Sequence, residues 1–198
     1  MRKLWQLTVL AVVVWCVWVD YVPHYHPPGV LIREEPEQLL LNGAEAPFAS
    51  HGWVLKPLAI YSIKARVLSK ASYFGTRNGE LAPYDLAVGW GPMSDSAVLR
   101  KLEITQSGRW YHWQYWGDPP APRQDIISHS ANMHLIPDND TVRSAIGSLR
   151  VGALVEMKGY LVEARRTAPV LTWRSSLRRD DTGDGSCELM LVRSLREW

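Results

Sequence analysis

The chain of 198 residues has few cysteines, few phenylalanines and no excess of charge, and these shortages narrow the class of protein. Only Cys187 lies beyond the N-terminal apolar run that holds Cys16, so the rest of the chain forms no internal disulfide. Lys and Arg number 22 against 20 Asp and Glu, and Arg2 and Lys3 belong to the N-terminal segment. The remainder is formally neutral, which argues against a nucleic-acid-binding protein.

What the chain does have is an apolar segment at its N-terminus. Arg2 and Lys3 precede an apolar run from Leu4 to Val19, which extends to Val22 if Asp20 snorkels at its edge, and WCVWV offers no small-residue cleavage site. We therefore expect residues 1–22 to be an uncleaved transmembrane anchor that meets the membrane through residues 4–22, with a cleaved signal as the alternative. The positive-inside rule keeps the two cations in the cytoplasm and places the rest of the chain outside it.

Composition divides the remainder into two parts. Residues 23–57 contain six prolines, which predicts a semi-rigid stalk partly packed on the domain that it carries. Within this stalk, residues 35–41 could form a helical turn or two. The folded domain is expected over residues 58–198.

Periodicity within this domain predicts mainly β structure with one or two short helices. Residues 58–74 alternate polar and apolar side chains, as a half-buried strand does, and residues 109–116 (RWYHWQYW) are a second β-prone run. Ser94 or Asp95, and later Asn139 or Asp140, can cap short helices. Strands, a helix and a strand kinked at Gly159 suit a partly open barrel of the OB type. An α+β sandwich is the alternative.

Three stretches, DLAVGWGPMSD, SHSANMHLIP and WRSSLRRDDTGDGSCE, resemble a family of uncharacterised bacterial membrane-anchored proteins with an OB-like domain. The resemblance implies a single-pass protein of the bacterial inner membrane whose C-terminal domain lies in the periplasm. It implies no activity and no catalytic residues.

Candidate catalytic residues are few and scattered. His129 and His134 could act in an extracytoplasmic hydrolase together with Asp181, Glu188 or Cys187. The structural alternative is that one histidine and Asn132 form hydrogen bonds with backbone groups in a turn before Pro137. No set of residues has zinc-like spacing, and the sequence DDTGDG lacks the glutamate of a calcium loop, so we expect no metal and no cofactor.

An aromatic surface is the best candidate for binding. Alternation places Trp110 and His112 on one face of the RWYHWQYW strand and Trp113 and Tyr115 on the other; one face must be core and the other could stack on a ligand. The full set of candidate binding residues is Trp110, His112, Trp113, Tyr115, Asn132, Trp173 and Arg174. Because no catalytic set is complete, the sequence favours a membrane-tethered module that docks a protein or an envelope component over an enzyme.

Overall fold

The computed structural model describes residues 22–43, 45–178 and 186–198, with the side chain of Arg77 left aside. The described residues are mainly β, as predicted, but they form four short α-helices where one or two were expected; most strands belong to one mixed sheet. The strands are β1 (Glu37–Leu40), β2 (Phe48–Ser50), β3 (Trp53–Ser72), β4 (Tyr84–Gly89), β5 (Glu103–Ser107), β6 (Trp110–Gln114), β7 (Ser130–Pro137), β8 (Leu154–Thr167), β9 (Val170–Arg174) and β10 (Glu188–Glu197). The α-helices are α1 (Arg77–Leu81), α2 (Ser96–Leu99), α3 (Arg123–Ser128) and α4 (Asp140–Ser148).

Five strands of the large sheet pair in a closed ring. The order in the large sheet is β1-β3-β4-β7-β10-β8-β9, with β2 also on β3, and β3 pairs with β8 as well. Each of the strands β3, β4, β7, β10 and β8 is therefore bonded to two others of this set. The β7–β10 pair is parallel and the other pairs are antiparallel. Strands β5 and β6 form a separate hairpin.

Local features let the long strands bend. The register of β3 shifts between Pro57 and Ala59 against β8, and between Val67 and Ser69 against β4. On β8, a Cβ added at Gly159 would lie 1.9 Å from the carbonyl oxygen of Leu191, so only glycine admits this approach of β10. The register of β10 shifts just beyond this point. The kink predicted at Gly159 is thus a close backbone contact.

Three apolar clusters hold the fold together. The largest takes one face of all five strands of the ring and two side chains of α4; its members include Tyr61, Leu86, Met133, Ile146 and Met190. A second cluster lies on the opposite face of β7 and β10 and includes Trp53, Leu55, Ile136 and Leu189. The third lies beneath the hairpin, where Ile104, Tyr111 and Trp113 pack against Ala87 and Ile126. The third cluster places the hairpin over the outer face of the sheet.

The segment predicted as a stalk packs along the folded domain, which we call the body. We call residues 22–41 the strap. The backbone N–H of His24 donates to Val151, Leu31 and Ile32 donate to the hydroxyl of Ser94, and β1 pairs with β3. The helical turn predicted within residues 35–41 is wrong, because residues 37–40 are a strand. The predicted start of the domain, residue 58, falls inside β3.

The predicted anchor lies outside the described residues apart from Val22. Within the described part of the chain, we find no helix with the length and apolarity needed to cross a membrane.

Candidate functional site

A cavity of about 420 Å³ opens between the tip of the hairpin, β9 and the outer face of β7. Its size is within the range of small-molecule sites. Three indoles line it, from Trp53, Trp110 and Trp173. The chemically active groups among its walls are Arg109, His134, Arg174 and Cys187.

Strand register places these residues together. Asp85 on β4 is opposite His134 on β7, which is opposite Leu189 on β10. Alternate residues of a strand share a face, so Asn132 and His134 point to the same side as Cys187, which lies two positions before Leu189. Across β8, Trp173 on β9 pairs with Ala164. Strands β4, β7 and β9 and the start of β10 thus bring their side chains to one surface.

A buried carboxylate lies beneath the cavity. Asp85 is 0% exposed, and Arg109 Nη1 donates to its Oδ1 at 2.8 Å. His134 Nδ1 lies 2.9 Å from the same oxygen, outside hydrogen-bond geometry, and Oδ2 of Asp85 makes no hydrogen bond within the described residues. Burying a carboxylate without a partner costs free energy of folding, and the ion pair with Arg109 offsets this cost for Asp85.

The hairpin turn aims Arg109 at this carboxylate. Gly108 and Arg109 form a two-residue loop with φ of 57° and 70°, the arrangement of a type I′ turn. For arginine the left-handed conformation costs roughly 1–2 kcal/mol. Its guanidinium lies 4.2 Å from the centre of the Tyr73 ring and 5.1 Å from that of Trp173. The contacts of this side chain offset the strain of the turn.

A set of side-chain contacts supports the floor of the cavity. Asn132 Nδ2 donates to the carbonyl oxygen of Arg109 at 2.8 Å and approaches Cys187 Sγ at 3.4 Å. Gln106 Nε2 donates to Asn132 Oδ1 at 2.9 Å, which ties the hairpin to β7. The His134 ring packs on Trp173 with centroids 4.8 Å apart. The hairpin, β7 and β9 are therefore fixed relative to one another at the cavity.

Arg174 reaches the cavity from an ion pair with Glu163 on β8. Glu163 is buried, and the hydrogen bond from Arg174, together with that from Arg165, holds its pKa below the ordinary value although burial opposes this. Arg174 lines the cavity and Arg165 does not. The two arginines share one carboxylate but face different surroundings.

The structure brings together some of the residues predicted from sequence and separates others. Trp110, Trp173, Arg174, His134 and Cys187 line the cavity, and Asn132 supports it. His112 is exposed on the hairpin, beside Trp110, whereas Trp113 and Tyr115 stack on each other with centroids 6.2 Å apart.

The remaining candidates lie elsewhere. His129 ends α3, where its Nδ1 bonds the carbonyl oxygen of Asp125 at 2.8 Å, near Trp90 and Glu35. Glu188 lies on the opposite face of β10 from Leu189 and is buried. Asp181 and the acidic DDTGDG stretch lie outside the described residues. Among residues 22–43, 45–178 and 186–198, no three metal-binding side chains come together.

The candidate site residues predicted from the sequence do not include Asp85 beneath the cavity or Arg109 and Trp53 in its wall. Asp85 is the one charged residue in the strand YDLAVG, and a charge within a buried strand was the available signal. The Ser107-Gly108 step marks a turn directly before Arg109, the residue at which the predicted β-prone run begins. Trp53 precedes the predicted domain boundary. All three positions depend on tertiary contacts that a local pattern does not show.

Comparison with known proteins found no protein-family model, no curated protein and no solved structure that matches this chain. The resemblance noted from the sequence therefore stays a prediction.

Proposed function

We propose that this protein is a non-catalytic binding module of the bacterial cell envelope, tethered to the inner membrane by residues 4–22 and docking a protein or envelope component in the periplasm. One observation carries the proposal: three indoles from distant parts of the chain line a single cavity. Large amphipathic aromatics are the residues on which binding energy concentrates, and Trp110 is partly exposed in this cavity.

The barrel interpretation supports the same location. The ring of five strands and the position of α4 between β7 and β8 suit an OB-like barrel. Such barrels bind ligands on the face of their second and third strands, which would be β4 and β7 here, between the loops that flank it. Asp85 and His134 lie on that face, and Asn78 and Trp173 reach the cavity from the two flanking connections.

Replacement of Trp110 is the sharpest test of docking. Trp110 is 36% exposed and lines the cavity, whereas Trp116, 74% exposed, does not. We expect Trp110→Ala in the full-length protein to lower the yield of crosslinked partner from membranes about tenfold or more, since a hot-spot side chain contributes about 2 kcal/mol or more. Trp116→Ala is the matched control and should leave the yield unchanged.

If Trp110→Ala and Trp116→Ala give the same yield of crosslinked partner, the cavity is not part of the binding surface. Thermal unfolding of both variants, followed alongside, shows that any loss of crosslinking at Trp110 is not a loss of fold.

A second candidate function rests on the Asp85–His134 pair. His134 lines the cavity with its Nδ1 2.9 Å from the buried carboxylate of Asp85, a short approach without hydrogen-bond geometry, and Cys187 lines the same cavity as the nucleophile that a hydrolase would need. His129, the other histidine considered, bonds backbone instead. The hydrolase alternative therefore narrows to His134, Asp85 and Cys187.

Alkylation of Cys187 separates this candidate from docking. If His134 activates the thiol, iodoacetamide should modify Cys187 at neutral pH about tenfold faster or more in the native protein than in His134→Gln, because the thiolate is the reactive form. His129→Gln is the control and should react like the native protein. Identical rates in all three proteins would exclude a Cys187–His134 nucleophile.

A further inference from the structure

We infer that the ligand of the cavity is an anionic saccharide: a sugar ring that carries a carboxylate or a phosphate. This inference rests on the proposed binding function and names the ligand class of that same site. It is carried by the charge of the walls and by the aromatic and polar side chains between them.

The charged groups of the walls are cationic. Arg109 and Arg174 line the cavity, and no acidic side chain of the described residues does. Their partners, Asp85 and Glu163, are buried behind them. Two of the five N–H donors of the Arg109 guanidinium go to Asp85 and to the carbonyl oxygen of Ala82, and the planar fork suits an oxyanion. The arrangement favours a ligand of negative charge.

The aromatic and polar walls suit a sugar. The partly exposed indole of Trp110 offers an apolar surface, Trp173 adds apolar wall where it packs beside His134 and Arg109, and Asn78 and Thr172 add hydrogen-bonding groups. A sugar ring combines apolar C–H faces with hydroxyl groups, and a cavity of about 420 Å³ is of the size of a small ligand site. A free phosphate or a short aliphatic acid would leave the indole faces unused.

The test compares three probes on the full-length protein in lipid nanodiscs: glucuronate, glucose 6-phosphate and glucose. We expect at least one of the two anions to bind about tenfold more tightly than glucose, as measured by isothermal titration calorimetry, a difference of ~1.4 kcal/mol. Whichever anion binds more tightly distinguishes a carboxylate from a phosphate. Higher salt should reduce the preference.

Arg174→Gln should abolish the preference for the anion, whereas Arg165→Gln should keep it. Both changes remove a cation from Glu163, but only Arg174 lines the cavity. Equal effects of the two changes, equal affinity for glucose and the anions, or no binding of any probe would overturn the inference. If, in any of these cases, Trp110→Ala still lowers the yield of crosslinked partner, the proposed docking function stands and only the saccharide inference fails. If Trp110→Ala leaves that yield unchanged, both fail.

Discussion

Glu163 carries a charge in a place where a carboxylate has little contact with water. Its side chain is 6% exposed and accepts hydrogen bonds from Arg174 and from Arg165. These contacts favour the ionised form, so the pKa of Glu163 in the folded protein is lower than the ordinary 4.5. Between the two values the unfolded chain binds more protons, and stability therefore rises with pH there.

We predict that Glu163→Gln makes the protein less sensitive to acid. In the native protein the contribution of Glu163 is fully present above pH 4.5 and is lost as the pH falls through the folded pKa. The variant should be less stable at neutral pH by about 1.5–3 kcal/mol, the range for hydrogen bonds to charged groups. Urea unfolding at a series of pH values measures both effects.

The control is Glu103→Gln, which removes a carboxylate from the exposed end of β5. If the free energy of unfolding of Glu163→Gln falls with acid as steeply as that of the native protein, the two arginines do not stabilise the charge of Glu163.

At the residue scale, the sequence predicts which residue types serve a binding site better than it predicts which of them come into contact. Trp110, Trp173 and Arg174 were candidates because aromatic and cationic side chains at strand positions are useful at binding surfaces. Nothing local indicates that β9 and the hairpin tip face each other over His134. That contact is made by Arg109, which lies between the rings of Tyr73 and Trp173, residues far apart in the chain.

At the scale of elements, period and capping were sufficient where local signals are strong. The alternation over residues 58–74 predicted most of β3, and the burial of β6 alternates as the sequence does. Asp95 and Asn139 cap their helices by accepting from the backbone N–H of Ala97 and of Val142. These features depend on neighbours within a few residues, so they can be read without the fold.

Short elements were predicted less well because tertiary contacts select their conformation. Residues 37–40 are a strand because β3 offers them an edge, although their composition also allows a helical turn. The sequence DIISHSANMHLIP predicts a strand that leads into a bend, but residues 123–128 are a helix, in which Ile126 packs fully buried beneath the hairpin. In both cases packing outweighs a weak local preference.

At the scale of the whole molecule, the strap links the N-terminal segment to the folded domain and packs against that domain. Contacts begin at His24, whose backbone N–H donates to Val151, and His26 bonds the carbonyl oxygen of Gly152 at 2.8 Å. Further along, Trp90 Nε1 donates to Glu35 at 2.9 Å. If residues 4–22 span the membrane as proposed, only a residue or two separates the bilayer from the first contact. The proline-rich segment then acts as part of the body, and the body lies close to the membrane surface.

This arrangement predicts that the strap contributes to global stability. Ile32 is 2% exposed and belongs to the main core, whereas Val30, two residues earlier, is 36% exposed. We expect Ile32→Ala in the full-length protein to lower the free energy of unfolding by about 2–5 kcal/mol, the usual cost of a buried isoleucine. Val30→Ala, the matched control on the same segment, should change it by less than about 0.5 kcal/mol. Denaturant unfolding followed by tryptophan fluorescence measures both. Equal effects of the two changes would mean that the strap is not part of the cooperative fold, and the body would then be free to move away from the membrane on a proline-rich tether.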